Sequence, residues 1–308
     1  MITFIWLLQI LLIPAISPLC IGFIKKIKAK LQNRHGAGIL QPYKDLWKLL
    51  HKNEIISRDS SWIFRYAPFI IFTVTIVVGA SIPLFASFLK NTFTSDMLLI
   101  VYTLALGTFF LALAGLDAGS TFGGFGSSRE MTVSALAEGG LIFSLLTLAI
   151  ITNTTNLFEI SNKIILSQNQ SFLAVIMAFC GFFIIILAET SRFPFDNPDT
   201  HLELTMIHEA MILEYSGKRL ALLEWSSANK LIIFIALGSN LFFPFGLAQN
   251  ADIYSIFISI IYFLAKIAVF SLVIAIIETG MAKYRFFRLP DPLVVSFILN
   301  VLAIGLAH

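Results

Sequence analysis

Apolar stretches of about twenty residues, the length an α-helix needs to cross a ~30 Å hydrocarbon core, recur along this chain and limit what it can become. The spacing predicts eight spans, at about 2–24, 67–89, 97–116, 132–152, 172–188, 228–248, 253–277 and 291–307. Composition agrees: 57% of the 308 residues are hydrophobic and 13% are charged, against about 25% charged in a soluble domain. A membrane barrel would read as strands of about ten alternating residues. Lipid leaves a helix bundle as the other way to pair every backbone donor internally. The expected fold is therefore all-α, a polytopic bundle of about eight transmembrane helices forming one integral membrane domain over 1–308. No basic stretch precedes the first apolar block, so it reads as a retained helix and not as a cleaved signal. Cys20 and Cys180 stand alone in apolar surroundings, without a CxxC or CxxH spacing, and read as packing residues.

The placement of charge orients the bundle. Of the 21 Lys and Arg residues, all but Lys90, Lys163 and Lys266 are expected on one side. They include Arg34, Lys44, Lys48 and Lys52 after the first span, then Arg129, then Arg192, Lys218, Arg219 and Lys230, then Lys283, Arg285 and Arg288. By the positive-inside rule this side is cytoplasmic and both termini lie outside. Two segments on that side, about 25–66 and 189–227, are longer than connectors need to be, which marks docking or working surfaces.

The first of these contains Pro42, at a favourable helix start, followed by Leu46, Leu49 and Leu50 at helical spacing and flanked by Trp47 and Lys48. It reads as an amphipathic helix on the membrane surface, either a topological anchor or a partner contact. The second holds seven of the 18 acids: Glu189, Asp196, Asp199, Glu203, Glu209, Glu214 and Glu224. Asp199 and Glu203 would share a helix face. A solvated loop explains the acids alone, but not the interleaved Leu202, Leu204, Met206, Ile207, Met211, Ile212 and Leu213. Carboxylates among apolar side chains can exchange protons near neutrality. His208-Glu209 opens like the zinc motif HExxH, yet Ile212 stands where the second histidine belongs, so no metal site is expected.

Ionisable residues also fall within or at the ends of spans: Glu138, Lys266, Glu278, Asp117 and Glu224. Each costs about 2.5–3.5 kcal/mol at the centre of a lone helix. Structural ion pairing and proton transfer are the two readings. Proton transfer is favoured for Glu138 and Glu224, and Lys266 stays open.

The stretch Ala188-Glu-Thr-Ser-Arg-Phe-Pro-Phe-Asp196, with Glu214-Tyr-Ser-Gly217, resembles the signature of the quinone-pocket membrane subunit of respiratory complex I (NADH dehydrogenase subunit 1). Gln32 to Lys48, the Arg129 and Glu138 pair, and Glu224-Trp225 are similar to further features of that family. Gln41-Pro-Tyr-Lys-Asp-Leu-Trp-Lys-Leu49, Gly124-Phe-Gly-Ser-Ser-Arg-Glu130 and the run from Asp199 to Tyr215 more closely resemble its hydrogenase branch: the membrane anchor subunits of formate hydrogenlyase, hydrogenase-4 and other membrane-bound nickel–iron (NiFe) hydrogenases. About three extra residues precede Glu214-Tyr215 relative to the quinone-reducing type.

The resemblance implies a subunit in a bacterial or archaeal cytoplasmic (inner) membrane that carries no cofactor of its own. Iron–sulfur clusters and a nickel–iron centre would sit in soluble large and small subunits and an iron–sulfur protein. Those partners would dock through Arg34, Gln41, Asp45, Lys48, Arg129, Arg192 and Asp196. Glu138, Glu189, Asp199, Glu203, Glu214 and Glu224 would carry protons towards antiporter-like membrane subunits, and the chain would not be catalytic alone. The alternatives are a true quinone-binding complex I subunit, a purely structural anchor, and an autonomous transporter using Lys266 and Glu278.

Overall fold

The computed structural model describes residues 2–56, 60–88, 94–166, 172–197, 206–250 and 252–307. Its elements run α1 (Ile2–Leu31), α2 (Gln41–His51), α3 (Trp62–Ser81), α4 (Met97–Asp117), α5 (Thr121–Thr152), α6 (Leu157–Leu166), α7 (Phe172–Glu189), α8 (His208–Ile212), α9 (Gly217–Leu241), α10 (Ile253–Gly280), a 3₁₀ turn (Phe286–Arg288) and α11 (Pro290–Ala307). Among the described residues, α1, α3, α4, α5, α7, α9, α10 and α11 are long and apolar enough to cross a membrane. The predicted all-α bundle of eight spans is what forms.

Span boundaries differ most from the sequence reading at three helices, each for a local reason. The second span, α3, ends at Ser81 instead of 89. Pro83 forces Ile82 out of the helical region, and Ile82 is extended at ψ 147°. The chain then runs beside Ala248, with the Ser87 N–H donating to the Ala248 carbonyl at 2.9 Å. The fourth span, α5, starts at Thr121 instead of 132, with the Ser120 hydroxyl accepting from the Gly123 N–H at 3.1 Å. Arg129 therefore lies on a helix and not in a loop. Gly123 and Gly126 read as a loop but make a close crossing. A Cβ at Gly123 would run into the Gly115 carbonyl oxygen of α4, and one at Gly126 would stand 2.9 Å from that of Ile207. Small residues let backbones approach in this way.

The sixth span, α9, runs Gly217–Leu241 instead of 228–248. This moves Lys230 from the expected cytoplasmic end into the bundle, where its side chain is 19% exposed. The charges of residues 218–230 push a hydropathy window towards the C-terminus. They are tolerated in a helix because its first turns meet the basic end of the bundle and because Lys230 finds an acid.

Two prolines inside helices explain two aromatic contacts. Pro68 lacks the N–H that would pair with the Phe64 carbonyl four residues earlier, and the Tyr215 hydroxyl donates to that carbonyl at 2.9 Å. The two rings stack with centroids 4.0 Å apart. Burial pushes the Tyr215 hydroxyl above the ordinary tyrosine range, so it remains a donor at any physiological pH. Pro18 similarly frees the Pro14 carbonyl, and the Trp225 indole N–H fills it at 2.9 Å. The aromatic halves of Glu214-Tyr215 and Glu224-Trp225 thus bolt α3 and α1 to the α8–α9 region. Tyr215→Phe strands a buried carbonyl and is expected to cost about 1–3 kcal/mol. Thermal unfolding in detergent checks this against Tyr102→Phe, a change at a 61% exposed position. Equal melting of the two variants would refute the assignment.

Candidate functional site

The basic ends of α1 and α9 meet α2, α8 and the 190–197 turn around a cavity of about 520 Å³. Its wall is mixed in charge. Lys25, Lys48, Lys52 and Arg192 face Asp45, Asp196, Glu209 and Glu224. α2 is amphipathic as predicted: Leu46 is buried while Trp47 and Lys48 are exposed. Gln41 donates to Asp45 at 2.8 Å along the same helix. Tyr43, also on α2, donates its hydroxyl to the Ala15 carbonyl of α1, which holds the surface helix against the bundle.

Deeper, between α3, α4, α5, α7 and α9, lies a second chamber of about 50 Å³. By volume this admits about three waters. Glu130, Glu189 and Lys230 line it together with Thr108 and Ser226. The Lys230 ammonium pairs with Glu189 Oε2 at 2.8 Å and donates to the Thr108 hydroxyl at 3.4 Å. Glu189 Oε1 is buried, with no hydrogen-bond partner among the described residues. Along α5, Glu130, Ser134 and Glu138 recur every four residues and so share one face. The Ser134 hydroxyl donates to Glu138 Oε1 at 3.0 Å.

The two cavities share a wall of four residues: Thr190, Ser191, His208 and Ser227. This wall is held firmly. Ser191 closes α7 with φ +51°, an uncommon value for a residue with a side chain. Arg192 then turns inward to Glu278 at 3.0 Å, and Lys28 meets the same carboxylate at 2.8 Å. Asp196 pairs with Lys283 at 2.7 Å, and its other oxygen accepts from the N–H groups of Ile207 and His208 at 3.2 and 3.1 Å. Burial first, and the Lys230 ammonium second, pull the His208 imidazole down to about 4 against the opposing effect of Asp196. His208 is therefore neutral at pH 7.

The predicted site residues divide accordingly. Glu189 lines the chamber, Glu224 lines the outer cavity, and Glu138 continues the chamber's acidic stripe. Gln41, Asp45, Lys48, Arg192 and Asp196 line the outer cavity, whereas Arg34 is exposed and lines neither. Glu214 is exposed and also lines neither cavity. Asp199 and Glu203 lie outside the described residues. Arg129 donates to the Met206 carbonyl at 3.1 Å and lies over the Phe286 ring, so it holds the α8 approach against α5.

Asp117 is a helix cap: its carboxylate accepts from Ser61 and from the Phe64 N–H. Lys266 sits at the opposite end of the bundle, donating to Asn240 Oδ1 at 2.9 Å and to the Phe243 carbonyl at 2.8 Å just past the end of α9. It is about 18 Å along α10 from Glu278 by helical rise, so the two do not form one site. Among the described residues, no three His, Cys, Asp or Glu side chains gather as a metal group.

Sequence reasoning missed Lys230, Glu130 and His208 as site residues. The available signal was Lys230 directly preceding the long apolar run Leu231–Leu237, a place where a solvated loop lysine is not needed.

The family model described as NADH dehydrogenase matches residues 3–307. Hydrogenase-4 component C of Escherichia coli (strain K12) is 34% identical over 96% of this chain and 93% of its own length. Formate hydrogenlyase subunit 4 of the same organism is 28% identical over 91% and 90%. A chain in the structure of the membrane-bound sulfane sulfur reductase, an archaeal respiratory membrane complex, superposes with a TM-score of 0.80 at 19% identity. That match covers 98% of this chain and 99% of the other. This multi-pass membrane protein belongs to the NADH dehydrogenase family of complex I-like membrane subunits, on its hydrogenase branch.

Proposed function

We propose that this chain is the membrane anchor and proton-coupling subunit of a multisubunit, energy-converting nickel–iron hydrogenase of the formate hydrogenlyase or hydrogenase-4 kind. Similarity to components of those two systems supports the assembly. The observation that carries the coupling role is the pair of cavities that share one wall. A charged vestibule shares one wall with a smaller cavity lined by Glu189, Lys230 and Glu130, and Glu138 lies two turns further along α5 on the face of Glu130. Carboxylates, hydroxyls and room for about three waters give a proton successive sites inside the bundle.

In this reading the vestibule rim, with the exposed α2, faces the cytoplasm and seats the soluble subunits. Iron–sulfur clusters and the nickel–iron centre belong to those partners, and antiporter-like subunits adjoin the bundle in the membrane. Electron transfer in the soluble arm changes the charge presented to the 190–197 turn. The charge change passes inward through the chamber.

Glu138→Gln tests the reading. It keeps the Ser134 contact sterically and removes the charge. Assembly and donor-driven hydrogen evolution are expected to persist in inverted membrane vesicles, with proton movement abolished. Normal proton movement by this variant would remove Glu138 from the path.

A second reading, a quinone-binding subunit, is favoured by one observation. The vestibule's 520 Å³ lies within the range of small-molecule sites, roughly 300–1,000 Å³. Quinone reduction by the purified complex, blocked by a competing quinone analogue, would select it.

A further inference from the structure

We propose that His208 is a proton-relay residue joining the two cavities, passing a proton from the vestibule to Glu189 in the chamber. The inference rests on the coupling role proposed above. Four residues form the shared wall, and three of them, Thr190, Ser191 and Ser227, carry only hydroxyls. His208 alone among the four has a side chain that takes up a proton at one atom and releases another from a second atom.

Its place is fixed from behind. The Asp196 carboxylate holds the His208 N–H at 3.1 Å and is itself held by Lys283. The imidazole therefore sits at the wall on an anchored backbone. A receiver stands in the chamber beyond: Glu189 Oε1 is buried, with no partner among the described residues, while Oε2 is occupied by Lys230. Glu209 lines the vestibule on the near side.

The step balances without any redox partner. A proton from a vestibule carboxylic acid or water binds one ring nitrogen, and the N–H on the other nitrogen gives its proton to Glu189 Oε1, directly or through a chamber water. The ring is left as the other tautomer and resets by rotating. Because burial and the Lys230 ammonium keep the imidazole neutral at pH 7, the charged form exists only in transit. The wall therefore conducts on demand and does not store charge. This also gives a use to the His208-Glu209 pair.

The test is proton movement in inverted vesicles bearing the assembled complex, with His208→Ala, His208→Gln and the Glu138→Gln control compared at equal complex content. His208→Ala and His208→Gln are expected to slow proton movement about a hundredfold, the scale of one positioned acid–base group. Added imidazole, small enough to enter the vestibule, is expected to restore His208→Ala while leaving Glu138→Gln inactive. Wild-type proton movement in either histidine variant, or a loss in His208→Ala that imidazole does not relieve, overturns the relay. Normal movement in Glu138→Gln strikes instead at the coupling role itself.

Discussion

Glu278→Gln is expected to deplete the folded chain from the membrane, at a cost of about 3–5 kcal/mol, the usual penalty for a buried charge that loses its partner. The Glu278 side chain has no solvent exposure and serves two cations, Lys28 at 2.8 Å and Arg192 at 3.0 Å. Glutamine preserves the shape and removes the charge. Lys28 lies in the last turns of α1, where its long stem can carry the ammonium to water. Arg192 is 7% exposed and cannot shed its proton, so it is left uncompensated. The double variant Glu278→Gln with Arg192→Gln is expected to recover most of the stability. Arg192→Gln alone is expected to be milder than Glu278→Gln, since Lys28 still balances the carboxylate. Thermal unfolding of the detergent-solubilised chain reads all three, and a Glu278→Gln variant as stable as the parent would show that the acid is not what holds the turn. This result also bears on function. A transporter using Glu278 as a moving coupling charge would require the carboxylate to be released, whereas here it is the hub that ties α1, the 190–197 turn and α10 together.

The division between what can and cannot be read from the sequence follows from the range of the forces involved. The bundle, its helix count and the amphipathic α2 are set by hydropathy and local spacing, which a linear reading captures. Glu189 and Glu224 are legible as members of an acid cluster and Glu138 as a charge within an apolar span, although in the fold Glu189 is buried, Glu138 half-buried and Glu224 exposed. The boundaries of α5 and α9 are not, because hydropathy windows treat Gly123, Gly126 and Lys230 as signs of a loop. In the fold the first two are close-crossing positions and the third is half of an ion pair. Pairings over long separations carry no local signature. The Ser17 hydroxyl donates to Asn229 Oδ1 at 2.6 Å across 212 positions, and Tyr215 meets a proline-freed carbonyl 151 positions away. The freed carbonyl follows from the proline alone; the identity of its donor does not. Lys266 shows the opposite case, a charge conspicuous in the sequence whose contacts in the fold are those of a helix-end donor.

Lys230→Met is expected to leave the chain folded and to abolish coupled proton movement. The asymmetry comes from what each partner can do when abandoned. Without Lys230, Glu189 and Glu130 share a chamber of about 50 Å³ with no cation among the described residues that line it, and two carboxyls so placed relieve their repulsion by holding a proton. A neutral carboxylic acid is cheap to bury, so stability is largely kept. The chamber's acids then remain protonated and no longer accept charge from the wall, which removes the sites a passing proton needs. Glu189→Gln works from the other side: it leaves the Lys230 ammonium facing Glu130 alone, still paired in sign, and takes away the receiving oxygen Oε1. Both variants are therefore expected to assemble, and both to lose proton movement in vesicles. The double variant Lys230→Met with Glu189→Gln is expected to be no worse than either single change, the non-additivity of residues acting as one unit. An additive loss across the cycle would show that Lys230 and Glu189 act separately. Retained coupling in Lys230→Met would make the pair a structural bridge and move the proton route elsewhere in the bundle.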